Sequence, residues 1–521
     1  MNLKETVIGI EFGSTRIKAV MLDKDNIPVA SGSHEWENKF EDGIWTYSYS
    51  DIVGGLRSCF AELKRNVKEK LGVTLTTTGA MGISGMMHGY LALDKNNEML
   101  AEFRTWRNTI TEKEASHLSE LFGFTIPQRW SIAHLYRTML RREEHLARLD
   151  KITTLAGYVH LCLTGEHSLG VGEASGMFPI DIEAKQYDGA MLETFDRLSA
   201  DCGYSFKLKD ILPRVLVSGN KDGYLTEEGA RFIDPEGDLL PGIPFCPSEG
   251  DGETGMVATN SVRVGTGNVS LGTSDFAMVV IDKKLPPHKE IDIVTTPDGM
   301  NVAMIHCNNC TSDINAWAGI FGEFAELIGA KVDTGALYTA LFNKALEGDA
   351  DCGGLLSYNY VSGEVLTGME SGRPIFMRSQ TANFTLANFM RTHLMSALAT
   401  LKLGMKILDE EEVRIDSICG HGGYLKTPTV GQTLLSAALK TPVTVMETAG
   451  EGGPYGIALL AAYTLRGGND SLPDYLDKYA FATAKKQTLM ATDKDVEGFE
   501  RFSELYRAAL PVERAAVDNI P

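Results

Sequence analysis

The segment IGIEFGSTRIK, residues 8–18, decides how the first half of the chain folds. It predicts an apolar strand, a tight turn of glycine and hydroxyl residues, and a second strand, which together form a β-hairpin. The segment VSLGTSDFAMVVID, residues 269–282, repeats this pattern in the second half. Successive backbone N–H groups in such a turn can surround an anion, and glycine allows close approach. One such turn is usually only a turn, but the repeat predicts a duplicated domain whose hairpins face each other across a nucleotide phosphate chain.

The length and charge of the chain narrow the choice of architecture and partner. At 521 residues the chain is too long for one ordinary core, which predicts two or more domains. The formal net charge of −20 argues against a nucleic acid or an acidic membrane as partner. A phosphate ligand therefore has to be held by local backbone amides, a metal ion and a few cations, because the field of the whole protein does not attract it.

The sequence predicts a cytoplasmic protein with no membrane segment. Residues 1–6 lead directly into the first strand, so we expect no signal peptide. No uncharged apolar run approaches the roughly 18 residues of a membrane span. The eight cysteines are scattered, as is typical of reduced thiols in the cytoplasm. Cys307-Asn308-Asn309-Cys310 has the spacing of half a zinc site or a redox pair, but without a second pair it favours free thiols.

Strands and helices alternate through both halves, which predicts an α/β fold. We expect the boundary between domains near residues 255–262, giving units 1–258 and 259–521 joined by a short hinge. From about Leu465 onward the chain is charged and helical, which predicts a surface wrap. The other predicted elements are a buried strand at Ala80–Ser84, a helix of about 20 residues with apolar positions Met390, Leu394, Leu398, Leu401, Met405 and Leu408, a strand at Ile415–Cys419 leading into Gly420–Gly423, and a buried helix at Gly456–Tyr463.

Six short motifs follow one another along the chain, and their order is more specific than any one of them. They are Glu11-Phe12-Gly13-Ser14-Thr15 with Lys18; Ser84-Gly85-Met86-Met87-His88-Gly89; Leu163-Thr164-Gly165-Glu166 with Ala174-Ser175-Gly176; Gly250-Asp251; Leu271-Gly272-Thr273-Ser274; and Gly422-Gly423 with Gln432 and Gly456–Leu460. Together they resemble the FGGY family of carbohydrate kinases, in the superfamily of actin, Hsp70 and hexokinase. The resemblance covers nearly the whole chain.

The resemblance implies an α/β fold with two RNase H-like, actin-like ATPase domains around a central cleft. The domain of residues 1–258 is then expected to bind the sugar and to carry the first phosphate hairpin. The domain of residues 259–521 is expected to bind ATP. Mg²⁺ is the expected metal, and a homodimer is expected because dimers are frequent in the family.

Asp251 is the expected catalytic base. Phosphoryl transfer depends mainly on positioning and charge stabilisation, and a carboxylate beside the attacking hydroxyl can accept its proton. The alternative is an aspartate that caps a turn between two glycines, which the following hairpin makes less favourable. Glu11 stands where the family usually has aspartate, and we expect it to hold Mg²⁺, directly or through water. Its extra methylene moves the carboxylate outward by about one bond length.

The two turns are expected to supply phosphate donors, and a glycine pair is expected to lie against the nucleoside. The side chain of Lys18 either reaches a phosphate or is a solvated charge at the edge of the sheet, and the sequence leaves both open. Gly422 and Gly423 allow the backbone to pass close to the ribose and adenine, although a plain strand-to-helix turn would have the same sequence. The expected ATP and phosphate ligands are Gly13, Ser14, Thr15, Lys18, Gly272, Thr273, Ser274, Gly422 and Gly423.

The acceptor side is assigned to Met87, His88 and Trp106, together with Asp251 and Gly252. An imidazole can donate to or accept from hydroxyls, and a thioether packs against the C–H face of a sugar. A lone loop histidine is more often structural, but the match around Met87-His88 favours binding. Xylulokinases commonly have Trp-Asn-Asp-x-Arg after this loop and Asn after the catalytic Asp, whereas this chain has Trp106-Arg107-Asn108-Thr109-Ile110 and Gly252.

These residues predict an ATP-dependent sugar kinase, with D-xylulose as the first candidate acceptor. Another ketose, a deoxy-ketose or a polyol, such as ribulose, fuculose or a glycerol-like compound, is the alternative within the family. A non-catalytic protein that senses ATP or sugar, or a chaperone-like ATPase on the same duplicated fold, is the alternative from another class. The His88 loop and Asp251 argue against it, because a nucleotide switch has no need of a sugar base.

Overall fold

The computed structural model describes residues 2–447 and 452–520. The strands are β1 Val7–Phe12, β2 Arg16–Leu22, β3 Pro28–Glu35, β4 Lys39–Glu41, β5 Ile44–Thr46, β6 Ala80–Gly85, β7 Leu91–Leu93, β8 Lys151–Thr153, β9 Ser168–Gly170, β10 Ile180–Asp181, β11 Gln186–Tyr187, β12 Arg214–Leu216, β13 Glu249–Gly250, β14 Thr266–Leu271, β15 Asp275–Val280, β16 Asp292–Thr295, β17 Asn301–Cys307, β18 Leu355–Tyr358, β19 Ile375–Arg378, β20 Ser417–His421, β21 Val443–Met446 and β22 Lys486–Leu489.

The helices pack on the strands or on one another. They are α1 Tyr49–Leu71, α2 Glu112–Phe122, α3 Ser131–Arg141, α4 Leu155–Thr164, α5 Val171–Ser175, α6 Gly189–Asp201, α7 Leu208–Ile211, α8 Glu227–Ile233, α9 Asp251–Ala258, α10 Ser312–Leu327, α11 Thr334–Ala345, α12 Leu386–Glu410, α13 Val430–Leu439, α14 Gly453–Arg466, α15 Leu472–Tyr475, α16 Asp493–Ala508 and α17 Leu510–Asn519.

The two main sheets repeat one strand plan. The first has the order β13-β6-β1-β2-β3, in which β1, β2 and β3 are antiparallel neighbours and β6 and β13 continue in parallel. The second has the order β16-β17-β15-β14-β20-β21-β22, and its β17-β15-β14-β20-β21 part has the same directions. Both predicted hairpins, β1–β2 and β14–β15, are present. The predicted α/β class and the duplication are therefore confirmed.

We call the first sheet with its covering helices the first lobe, and the second sheet with its helices the second lobe. Helix α14 comes late in the chain, yet it packs on the first sheet. Gly9 has no side chain, and the backbone of α14 occupies the space that one would need. The backbone oxygen of Pro454 lies 2.2 Å, and the backbone nitrogen of Ala458 2.6 Å, from the position that a Cβ of residue 9 would take. Ile457 fills the equivalent space beside Gly82. The division into units 1–258 and 259–521 stays a prediction, and α14 covers the sheet of the first unit.

The two lobes are also joined along β16. The backbone N–H of Thr295 donates to Ser175 Oγ at 3.0 Å, and its hydroxyl donates to the Val171 carbonyl at 3.0 Å. Arg129 forms an ion pair with Asp292 on the same strand. These contacts hold the edge of the second sheet against the first lobe.

The expectation of a surface wrap after Leu465 is wrong in part. Strand β22 extends the second sheet, and Phe499, Phe502 and Tyr506 on α16 are fully buried in the core of the second lobe. Their charged neighbours face outward, which explains why the composition resembled a surface segment. Among residues 2–447 and 452–520, no helix combines the length and hydrophobicity that crossing a bilayer requires.

Candidate active site

Asp251 is the first residue of α9 and directly follows β13. Its Oδ1 accepts a hydrogen bond from the backbone N–H of Met87 at 3.2 Å. Burial raises the pKa of Asp251 to about 6, although the N–H groups of Met87 and Gly252 favour its charged form. A helix N-terminus favours a carboxylate in the same way. The side chain is therefore ionised at neutral pH and close to its protonation midpoint, which suits a general base.

Glu11 lies near the end of β1 and shares the electrostatic environment of Asp251. Burial, and then the negative charge of Asp251, raise its pKa to about 7 against the opposing effect of the positive charge of Lys18. Lys18 is directly opposite Glu11 in the β1–β2 pairing, so the two side chains are on one face of the sheet. Two carboxylates and one ammonium group thus meet at the end of the first hairpin.

The start of α14 closes the space around Glu11. A Cβ at Gly453 would lie 2.0 Å from Glu11 Oε1 and 3.0 Å from Thr254 Oγ1. Thr254 belongs to α9, and its hydroxyl is 3.0 Å from that of Ser84 on β6. The first turns of two helices and the ends of two strands therefore converge on the pair of carboxylates.

The donor set around Glu11 fits Mg²⁺ bound to a phosphate. Mg²⁺ takes one or two carboxylates and completes its shell with water and phosphate oxygens. Glu11 is partly buried, and within the described part of the chain no hydrogen bond reaches its carboxylate. No group of three or more acidic, histidine or cysteine side chains in residues 2–447 and 452–520 could form an all-protein metal cage. Glu11, with Asp251 nearby, fits a Mg²⁺ ion that keeps several water ligands.

Met87 and His88 lie beside Asp251, in the loop that follows β6 of the first sheet. The Met87 sulfur is 3.1 Å from where a Cβ of Gly252 would be, so the glycine leaves room for the thioether. His88 has φ of 68°, and its Nδ1 is 3.1 Å from the carbonyl oxygen of Gly176. Its ring stacks on Trp130. Burial, and then the charge of Arg129, hold the pKa of His88 well below its usual value, so the imidazole is neutral at pH 7.

The turn of the first hairpin is held by three aromatic side chains. The indole N–H of Trp36 donates to the Gly13 carbonyl at 2.7 Å, and the Tyr47 hydroxyl donates to the Ser14 carbonyl at 2.6 Å. The indole N–H of Trp106 donates to Ser14 Oγ at 3.3 Å. Trp106, predicted on the acceptor side, thus contacts the turn of the first hairpin. It connects the loop that carries it to the hairpin.

The turn of the second hairpin is held from behind by the segment after β17. Thr311 donates through its N–H and its hydroxyl to the Gly272 carbonyl at 3.1 and 2.7 Å, and the Cys310 N–H donates to the Thr273 carbonyl at 3.0 Å. Cys307 and Cys310 are buried and unpaired, as predicted. Inside the turn, the Gly272 N–H donates to the Ser274 carbonyl at 2.9 Å. The N–H groups and hydroxyls of Thr273 and Ser274 are therefore the donors left for an anion in front of the turn.

Gly422 and Gly423 lie beside the second hairpin, because β20 runs parallel to β14. Gly422 has φ of 105°, and the carbonyl oxygen of Leu271 is 2.2 Å from where its Cβ would be. Any residue with a side chain would clash with this oxygen, so position 422 requires glycine. At Gly423, by contrast, a Cβ would meet no atom within 4 Å. Gly422 therefore lets β20 pack closely on β14, and Gly423 presents open backbone next to the turn of the second hairpin.

The structure places the predicted residues in two groups. Glu11, Lys18, Met87, Asp251 and Gly252 come together in the first lobe, and Gly272–Ser274 lie with Gly422 and Gly423 in the second. Met278 on β15 links the groups, since its sulfur is 3.2 Å from the Cβ position of Gly252. In the described part of the chain, no hydrogen bond joins residues 13–15 to residues 272–274.

Sequence reasoning missed three buried carboxyl groups around Asp251. Glu173, Glu249 and Glu253 are fully buried, and burial raises the pKa of each. Glu249 fits because Gly170 has no side chain, and its Oε2 accepts from the Glu173 N–H at 2.8 Å. The EGDGE segment, residues 249–253, carried a signal for two of them, because three acids in five residues are unusual between apolar elements.

Comparison with known proteins identifies the class. Residues 6–258 match the N-terminal domain of the FGGY family of carbohydrate kinases, and residues 267–465 match its C-terminal domain. The chain therefore belongs to this family and is a carbohydrate kinase, a phosphotransferase. The predicted family is confirmed, and so is the fold of two RNase H-like, actin-like ATPase domains.

Individual relatives are distant. The chain is 22% identical to the xylulose kinase of Haemophilus influenzae over 442 residues, which cover 81% of this chain and 83% of that protein. Solved structures of a ligand-bound xylulose kinase and a gluconate kinase, both from Lactobacillus acidophilus, match with TM-scores of 0.81 and 0.80 at 17% identity. They cover 99% of this chain and 100% and 98% of their own. At such identity the structural likeness shows the fold.

Proposed function

We propose that this protein transfers the γ-phosphoryl group of ATP to a hydroxyl of a small open-chain sugar, with Asp251 as the base. The observation that carries the proposal is the position of Asp251. It lies at a helix N-terminus, bonded to Met87 N–H, in the electrostatic field of Glu11 and beside the Gly252–Met278 contact between lobes. A raised pKa of about 6 leaves it able to accept a proton at neutral pH.

In the proposed reaction, the acceptor oxygen attacks the γ-phosphorus and the bond to the ADP oxygen breaks. Asp251 takes the proton of the attacking hydroxyl. The N–H groups and hydroxyls of Ser14, Thr15, Thr273 and Ser274 hold the phosphate oxygens, and Gly422 and Gly423 lie along the nucleoside. The N–H groups of Gly13 and Gly272 close their own turns by donating to the carbonyls of Arg16 and Ser274, so these glycines contribute close approach of the backbone. Lys18 faces Glu11 and adds the positive charge that a protein of net charge −20 has to supply locally. Glu11 would hold Mg²⁺, directly or through water, and the bound metal would supply positive charge against the phosphate oxygens.

D-xylulose is the first acceptor to test, because relatives along most of the chain are xylulose kinases. The replaced Trp-Asn-Asp-x-Arg motif and Gly252 favour including other ketoses, deoxy-ketoses and polyols, since one lost hydrogen bond can change selectivity by orders of magnitude. The proposal includes a homodimer. ADP release measured with a panel of sugars separates a kinase, which responds sharply to one sugar, from a sensor or switch ATPase, which responds to none.

The pH dependence of sugar phosphorylation should reflect the protonation of Asp251. Its folded-state pKa is raised to about 6, so the base is ionised above that pH and protonated below it. We therefore expect kcat/KM for the sugar to fall about tenfold per unit as the pH decreases below about 6. The measurement is the initial rate of ADP formation at low sugar and saturating ATP between about pH 5 and pH 8. Nucleotide binding over the same range is the control, and a rate that stays constant down to about pH 5 would contradict the assignment.

Replacing Glu11 should weaken the binding of Mg²⁺ in the active site. Glu11→Gln keeps the size of the side chain and removes the charge, so the Mg²⁺ concentration for half-maximal rate should rise at least about tenfold. The measurement is a magnesium titration at fixed ATP. Glu35→Gln is a matched control, because Glu35 ends β3 of the same sheet and is exposed. An unchanged titration in the Glu11 variant would remove this residue from the metal site.

A further inference from the structure

His306 lies on the face of the second sheet that is turned toward Asp251. In the antiparallel pairing of β15 with β17, Met278 is opposite Met304 and Phe276 is opposite His306. Directly paired residues, and residues two apart on one strand, share a face of the sheet. The Met278 sulfur is 3.2 Å from the Cβ position of Gly252. His306 is therefore on this same face, two residue pairs closer to the turn of the second hairpin.

The electrostatic environment places His306 with residues of the first lobe. The positive charge of Arg129 lowers the pKa of both His88 and His306, and His306 itself lowers that of His88. Arg129 is fixed across the lobes by its ion pair with Asp292. Its backbone carbonyl accepts from the N–H of Gly89, next to His88, at 2.9 Å. Side chains from both lobes thus meet where an acceptor held by Met87 and His88 would approach the second hairpin.

The imidazole of His306 has hydrogen-bonding capacity that the protein does not use. The residue is half-buried, and no other residue in the described part of the chain forms a hydrogen bond with its ring. Burial, followed by the charge of Arg129, lowers the pKa of His306 to about 4, so the ring is neutral at pH 7. A neutral imidazole offers one donor and one acceptor, which matches a hydroxyl group. The charge of Arg129 is balanced by Asp292.

We propose that His306 hydrogen-bonds a hydroxyl of a neutral polyhydroxy acceptor, so that the second lobe takes part in choosing between epimers. The inference rests on the proposed function and adds a specificity-determining residue to it. It explains how acceptor selectivity can persist although the Trp-Asn-Asp-x-Arg motif is altered at Arg107–Ile110. It also couples sugar binding to the position of β17, whose continuation supports the phosphate turn through Cys310 and Thr311.

The test uses the full-length protein and the four 2-ketopentoses D-xylulose, L-xylulose, D-ribulose and L-ribulose. His306→Phe keeps a flat ring and removes both hydrogen-bonding atoms, and His306→Ala removes the ring if phenylalanine is not accommodated. For the best of the four sugars we expect KM to rise on the order of tenfold, with KM for ATP unchanged within about twofold. The ratio of kcat/KM between that sugar and its best epimer should fall by a similar factor. His306→Gln should recover part of the loss, because its amide also donates and accepts.

His117→Phe is the matched control, since His117 is an exposed histidine on α2 of the first lobe, and it should leave all these values unchanged. Unchanged sugar KM and epimer ratio in both removal variants would overturn the inference while the kinase assignment stood. Equal losses for all sugars and for ATP would also overturn it, because they indicate a structural role. If the wild-type protein phosphorylates none of the four sugars, the same comparison is made with the ketose, deoxy-ketose or polyol that is phosphorylated and its epimer. A wild-type protein that phosphorylates no sugar of this wider panel would refute the proposed kinase function itself.

Discussion

Asp251→Asn is expected to lower the rate of sugar phosphorylation by about 10²–10⁴-fold, the usual contribution of a positioned general base. Asparagine has nearly the same shape, and its side-chain oxygen can still accept the Met87 N–H bond that holds residue 251 at the start of α9. What is lost is the site for the proton of the attacking hydroxyl. The effect should therefore appear in kcat, measured as ADP release at saturating sugar and ATP.

Nucleotide affinity provides the control for this variant. Because the amide removes a negative charge near Glu11, ATP binding measured by calorimetry should be unchanged or slightly tighter, and the folded protein should be recovered in normal yield. The residual rate of the variant should be nearly independent of pH, since the titrating base is absent, and its deficit relative to wild type should therefore shrink below about pH 6. Near-normal turnover in Asp251→Asn would exclude the residue as the base and leave it the structural role of bonding the Met87 N–H.

Gly456→Ala should produce the largest loss of stability among single-methyl additions to the helices of the first lobe. A Cβ at this position would lie 1.9 Å from the carbonyl oxygen of Thr254, a backbone atom of α9 that cannot rotate away. Helix α14 or α9 has to move, at a cost of about 3 kcal/mol of unfolding free energy. Because α9 begins with Asp251, a displacement of the order of 1 Å should also reduce kcat up to about 100-fold.

Gly54→Ala is the matched control, because Gly54 is also inside a helix, α1, and has no atom within 4 Å of its Cβ position. It should increase stability by about 0.5–1 kcal/mol, the usual preference of a helix for alanine over glycine. Shifts of the chemical denaturation midpoint, measured side by side, give the comparison. A Gly456→Ala protein as stable and active as Gly54→Ala would show that α9 and α14 can separate freely.

Local patterns in the sequence were sufficient to predict both hairpins and the duplicated plan of the sheets. The glycine and hydroxyl residues at 13–15 and 272–274 lie between apolar strands, and the turn chemistry is complete within a few residues. Helix α12 was equally clear, since its apolar residues repeat at helical spacing and its observed bounds, Leu386–Glu410, include all of them. The catalytic and binding roles assigned to these segments stay predictions.

Contacts between distant segments could not be predicted in the same way. Nothing near Gly453 in the sequence shows that it faces Glu11, because the packing of α14 on β1 depends on the whole first lobe. His306 belongs to no motif, and its importance appears only from strand register. The buried part of the C-terminal segment was a different case, since Phe499, Phe502 and Tyr506 already have helical spacing. The prediction that this segment lies on the surface had rested on its many charged residues.

The packing of α14 on the first sheet has a consequence for biosynthesis. Proteins usually fold domain by domain from the N-terminus as the ribosome produces them. Here β1 and β6 come early, but the helix that fills the grooves at Gly9 and Gly82 emerges only after residue 466 has been translated. The face of the first sheet that α14 covers therefore stays exposed until almost the entire polypeptide has been synthesised. The first lobe of nascent chains stalled before residue 453 should therefore be sensitive to protease and bind chaperones, whereas the first lobe of the released full-length chain should not.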